Sequence, residues 1–170
     1  MPLVKGNHVV DDEFVALADE DSIPDRGGIL ISAARFLADP DGILARDGKV
    51  GVIWPNNRDL DDLVPCLSQL AVVGLVFPTF KDGRAYSQAR ILRERYAYRG
   101  ELRATGQVLR DQFVFMLRAG FDTFSVKKDS DAEAFAGVAK RYSVFYQPTG
   151  DGRVPAFRRR LGFNIAGANP

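Results

Sequence analysis

One cysteine and one histidine in 170 residues leave little room for several kinds of chemistry. Cys66 alone cannot form an intramolecular disulfide. Zinc sites of the usual kind draw on several Cys or His ligands together, so none is expected here. A carboxylate-held Mg²⁺ stays open. No apolar run approaches the roughly 18 residues of a membrane-spanning helix. The opening MPLVKGNHVVDDEF carries acids early and no apolar stretch of the signal-peptide kind, so a cytoplasmic protein is the default expectation. Charge of one sign is also lacking: Lys plus Arg is 23 and Asp plus Glu is 22. No global nucleic-acid or anionic-membrane footprint follows from that balance, although a local basic cleft is compatible with it. There is no G-x-G-x-x-G and no G-x-x-x-x-G-K-[ST], so neither glycine-rich phosphate loop is present. No cofactor is expected.

What is present is a globular balance, 46% hydrophobic and 26% charged, at a length suited to one domain. LVKGNHVV reads as a hairpin with a surface His8, and 16–28 reads as a loop. Strand and helix then alternate. ILI (29–31) precedes AARFLA, with Ser32 placed to cap the helix. Asp39-Pro40 starts another. KVGVIW (49–54) leads to a short helix near 60–67, and the apolar AVVGLVF (71–77) leads to a helix with Ala85, Ala89, Leu92 and Tyr96 inward and Asp82 as its cap. ELRAT (101–105) leads to a helix with Leu109, Phe113 and Met116 on its core side, ending at Gly120. DTFSV (122–126) leads to a helix over 130–142, and SVFYQ (143–147) reads as a last strand. Residues 1–147 form one α/β domain on this reading, and 148–170 a loosely held tail.

About five βα units imply a mostly parallel sheet in an open three-layer sandwich. The alternative is an incomplete TIM-barrel-like arc, since a complete barrel typically needs about 250 residues. In an open parallel sheet, ligands bind beyond the carboxyl ends of the strands. There, Lys81 and Arg84 flank a helix start and Gly106 marks a strand-to-helix turn, with Arg110 and Asp111 behind it.

The strand ELRAT puts Glu101, Arg103 and Thr105 on one face. An unpaired buried charge is costly, so these groups are either paired, with Asp122 a candidate partner, or open to a wet cavity. The first alternative is a structural ion pair. The second is a polar pocket in which Lys81, Arg84, Arg103, Thr105 and Arg110 hold a small anion and Glu101 or Asp111 serves as acid/base. Arg90, Arg93, Glu94 and Arg95 read as a solvated helix face, and Phe113, Phe115 and Met116 as core.

The segment 77–124 carries FP-x-F-x-DGR, S-x-AR-x-LR, GELRA-x-G, LRDQ and GFD-x-F. In these motifs it resembles a bacterial family of unknown function whose members are often encoded beside assimilatory sulfite reductase, some labelled oxidoreductases. Gln107 stands where that family's run carries an acid, and Ala119 where a cysteine is common. The resemblance implies an accessory protein of assimilatory sulfate or sulfite reduction that binds a partner protein, such as sulfite reductase, or a small sulfur oxyanion. An enzyme acting on a small anionic substrate is the alternative.

Overall fold

The computed structural model describes residues 2–6, 8–128, 144–149 and 154–160. Eight strands form one sheet: β1 (Leu3–Lys5), β2 (His8–Val10), β3 (Phe14–Ala16), β4 (Gly28–Ser32), β5 (Val50–Trp54), β6 (Val72–Phe77), β7 (Glu101–Gly106) and β8 (Thr123–Ser125). Their order is β2-β1-β8-β7-β6-β5-β4-β3. From β3 to β8 every neighbouring pair is parallel, while β1 is antiparallel to both β2 and β8. The expected mostly parallel α/β sheet is therefore found, with eight strands rather than five units.

The three-layer sandwich is not. Strands β3 to β8 lie side by side in sequence order, so among the described strands the direction of winding does not reverse and there is no topological switch point. Right-handed crossovers in such a series all fall on one side of the sheet. The helices α1 (Ala33–Ala38), α2 (Pro40–Leu44), α3 (Arg84–Arg90) and α4 (Phe113–Ala119) accordingly share one core with the helix-facing strand residues. Phe36, Trp54, Phe77, Leu92, Leu102, Phe113 and Phe124 are fully buried there. Each such side chain contributes on the order of 2–3 kcal/mol by leaving water. Among the described residues the opposite face holds a small cluster of Phe14, Leu30 and Val72.

The sheet is strongly curled into a half-barrel. Its two outer strands, β2 and β3, are joined by residues 11–13 alone. Four Cα steps from Val10 to Phe14 reach at most about 14 Å. Eight flat strands would set their edges about 34 Å apart. The link must therefore cross the hollow side of the sheet as a strap, which matches the barrel-like arc more closely than an open sandwich.

Local signals act as the residue types dictate. Ser32 Oγ accepts from Arg35 N at 3.1 Å, and an Asp39 carboxylate oxygen accepts from Gly42 N at 3.0 Å. Gly120, at φ +105°, closes α4 with its N–H on Leu117 O and Met116 O. His8 is exposed at the hairpin. Several expectations change. The segment near 60–67 gives a 3-10 helix at Val64–Gln69. Gly83, not Asp82, is the N-cap of α3. Leu109 and Phe115 are 40% and 64% exposed rather than core. Residues 144–147 carry no strand, and a short helix α5 (Ala156–Arg160) lies within the expected tail. The helix read over 130–142 lies outside the described residues.

α3 runs on into a π turn at Ile91–Arg95. The wider turn changes which residue faces inward. Arg93 consequently turns inward to Asp122, while Arg90 pairs with Glu94 at 3.2 Å on the solvent side. The expected common solvated face is thus split.

Tyr86, in α3, stacks edge-on to Phe77 with centroids 5.1 Å apart. Burial, with the Asp111 carboxylate adding to it, pushes its phenol up to about 12. Burial also raises Tyr98, whose hydroxyl donates to Leu70 O at 3.0 Å. An unfolded tyrosine ionises near 10. Between about 10 and 12 the folded chain therefore holds more protons than the unfolded one, and stability falls as pH rises. Urea titrations in this window should show a shallower alkaline decline for Tyr86→Phe than for the parent; identical declines would show that this phenol is not responsible.

Candidate functional site

The polar face of β7 looks into the hollow of the half-barrel. Leu102 and Ala104 join the helix-side core, so Glu101, Arg103 and Thr105 point the other way, towards the strap. Arg103 is 3% exposed. Its Nη1 and Nη2 donate to the two carboxylate oxygens of Asp12, at 2.5 and 3.0 Å, and its Nε donates to Glu101 Oε1 at 2.9 Å. Thr123 Oγ1 donates to the same Glu101 oxygen at 2.7 Å. The Phe14 ring lies 5.6 Å from the guanidinium. Burial opposes the charge of Arg103, but Asp12 and Glu101 more than offset it, and its pKa is raised. A planar fork held bidentately by a carboxylate is among the stronger and more directional ion pairs a side chain makes.

The partner of Arg103 is thus Asp12, from the strap. Asp122 instead accepts from Arg93 Nη2 at 2.5 Å and from Leu102 N at 2.8 Å. A hollow of about 410 Å³ does adjoin Glu101 and Arg103, but at the amino ends of the parallel strands, opposite to the expected end. Asp11, Asp12 and Glu13 line it together with Lys5 and Lys49. Lys49 is already paired with Glu13 at 2.6 Å. Acids outnumber bases around this hollow, which does not favour an anion.

The remaining candidates sit at the carboxyl ends. Thr105 Oγ1 donates to Leu75 O at 3.3 Å. Lys81 is exposed, with its Nζ 5.7 Å from the Phe80 ring centroid. Arg84 grips Asp82 through two bonds of 3.0 and 2.6 Å, and Arg84 holds the Asp82 carboxyl well below its ordinary range. Arg110 and Asp111 are exposed on the 3-10 turn that leads into α4. Lys81 thus stands beyond the carboxyl end of β6, whereas Arg103 lines the hollow at the amino ends.

What the carboxyl rim does form is a stapled pair of loops. Phe80 N donates to Gln107 Oε1 at 3.1 Å, and Gln112 Nε2 donates to Phe80 O at 2.9 Å. A neutral amide at 107 can serve here because the bond needs only an acceptor. Gly106 has φ +88°, and a Cβ there would lie 2.4 Å from Phe77 O. Its close approach is to the neighbouring strand's backbone. Phe80 and Leu109 stand 50% and 40% exposed on this rim, next to Lys81 and Arg110.

Asp12, Asn56 and Gln88 were not singled out in the sequence. Asp12 lies 91 positions from its partner, and no local pattern marks it. Asn56 and Gln88 are polar residues with less than a tenth of their surface exposed, and only the fold shows that.

Curled parallel strands, helices on one side and a carboxylate strap across the other define a half-barrel α/β protein. Among the described residues no helix is long and apolar enough to cross a membrane, and no group of three or more His, Cys, Asp or Glu could hold a metal ion. The chain belongs to the family described as "Bacterial protein of unknown function (DUF934)", whose model matches residues 51–157. Neither the curated proteins nor the solved structures contain a match.

Proposed function

We propose that this protein is a binding accessory of assimilatory sulfate or sulfite reduction, and that its carboxyl rim docks a partner protein of that system. The observation that carries the binding reading is the rim itself. Two loops locked together through Gln107 and Gln112 present Phe80 and Leu109 to solvent, flanked by Lys81 and Arg110. An aromatic anchor on a rigid support loses little entropy on docking. The neighbouring cations suit an acidic patch on the partner. The link to sulfur assimilation rests on the resemblance at 77–124. Acid/base catalysis from β7 is less well supported, because Glu101 Oε1 already accepts two hydrogen bonds and Arg103 is engaged on all three nitrogens.

Co-purification with sulfite reductase at low and moderate salt is the direct test. The parent chain should co-elute, and the Phe80→Ala, Leu109→Ala double variant should not, while both keep the same melting temperature. No association of the parent at any salt concentration would remove this partner. A separate thermal-shift series with sulfite and sulfate addresses the small-anion form of the reading: a specific ligand raises the melting temperature by linkage.

A further inference from the structure

The net charge of +1 hides a separation of signs. Residues 11–25 hold seven acids and no basic residue. The fold sets this run along a sheet edge. β3 ends the strand order, with no strand beyond it among the described residues, and Val15 on it is 61% exposed. The loop after β3 is held firmly: Arg35 donates to Ala18 O and Asp21 O, and Asp19 accepts from Ser32 Oγ at 2.6 Å. Asp12 and Glu13 are engaged by Arg103 and Lys49. Glu20 and Asp25 are exposed, and no described hydrogen bond or ion pair engages either side chain. The next base, Arg26, faces Asp47 at 3.6 Å.

The opposite sign gathers where the C-terminal segments pack on α4. Segments 113–119, 144–149 and 154–160 carry four arginines and no acid. The Arg118 guanidinium lies 4.0 Å from the Phe145 ring centroid and donates to Gln147 O at 2.5 Å. Phe145 O accepts from Ala156 N at 2.7 Å, which brings α5 alongside. Tyr146, Phe115 and Phe157 are 79%, 64% and 44% exposed. Arg158, Arg159 and Arg160 are exposed, and no described ion pair engages them. Exposed aromatics with arginine beside them have the composition of a protein interface, in which acids are depleted.

The two surfaces are complementary in charge, and each offers apolar side chains. They sit apart in the sheet: α4 packs through Phe113 on Phe124 of β8, whereas β3 is an end strand. Among the described residues no ion pair joins them within one chain. A net charge near zero sets up no general repulsion between copies. It also gives no broad pull towards a nucleic acid or an anionic membrane, which the acidic edge would repel. We propose that the arginine–aromatic surface of one copy docks on the acidic β3 edge of a second copy of this chain. Unlike surfaces meet, so each copy keeps one surface for a further neighbour until a ring of two or more closes. This inference is independent of the docking rim.

Sedimentation velocity of the full-length chain over a range of concentrations tests it. At low salt the weight-average sedimentation coefficient should rise with concentration, and high salt should weaken that rise. The double variants Arg158→Glu, Arg159→Glu and Glu20→Lys, Asp25→Lys should each weaken self-association by at least about tenfold. All four positions are exposed, so the melting temperatures should stay at the parent value. Mixing the two double variants in equal amounts should restore association, because each surface then meets one of opposite sign. Phe80→Ala, Leu109→Ala should associate like the parent, which separates this contact from the rim. The proposal is overturned if the parent is monomeric at every concentration in low salt, if either charge reversal leaves association intact, or if the mixture associates no more than its components alone.

Discussion

Replacing Arg103 with methionine should lower the unfolding free energy by about 3–5 kcal/mol, the cost of breaking a buried ion pair from one side. The guanidinium is 3% exposed and holds Asp12 and Glu101 together. Without it, two carboxylates face each other across the hollow with Thr123 alone as donor to Glu101. Lysine keeps the charge but not the fork, so Arg103→Lys should recover only part of the loss. Asp12→Asn in the Arg103→Met background should cost much less than Asp12→Asn alone, because the partner is already gone. Urea unfolding of the four chains measures this coupling. A methionine variant within about 0.5 kcal/mol of the parent would show that the strap is held by something else, since a surface substitution usually moves stability by no more than that.

Arg93→Ala should be the next most damaging change, at about 2–4 kcal/mol. Arg93 donates from Nε to Gly120 O at 3.0 Å, from Nη1 to Tyr98 O at 2.6 Å and Gly100 O at 2.9 Å, and from Nη2 to Asp122. One side chain thus fastens the end of α4, the turn before β7 and the residue before β8. Ala97, at φ +51°, lies within that turn and has a strained backbone that these bonds help to hold. An adjoining hollow lined by Arg93 and Asp122 lets water reach the freed carbonyls, which is why the lower end of the range is set at about 2 kcal/mol. Hydrogen exchange should show lost protection around 98–102 and 120–122 together. Faster exchange confined to Arg93's own turn would contradict the fastening role.

The regular elements were legible because their signals are local. Continuous apolar runs such as AVVGLVF and the caps at Ser32, Asp39 and Gly120 depend on neighbours in sequence, and each produces the expected element. The layer arrangement was not legible. Five alternations are compatible with an open sandwich or an arc, and only the unreversed strand order, with residues 11–13 joining opposite edges, separates them. Placing polar residues on one face of β7 follows from strand geometry, and the structural ion pair was one of the two stated alternatives. Its partner was not foreseen, since pairing Arg103 with Asp12 spans 91 positions. Arg93 misled for a different reason: helical spacing places it outside, and the π turn shifts it inward. Asn56 and Gln88 gave no signal because the burial of an amide is defined by its surroundings, not by its type.

β1 owes its place to β8: Leu3, Val4 and Lys5 lie opposite Ser125, Phe124 and Thr123. A hairpin made early in synthesis must wait until residue 125 has left the ribosome before it can complete the sheet. Contacts of such long sequence separation slow folding, and a waiting ribbon edge is an invitation to pair with the wrong chain. Crowded expression should therefore favour misassembly of this protein, and slower translation beyond residue 125 should not relieve it unless the hairpin is shielded meanwhile.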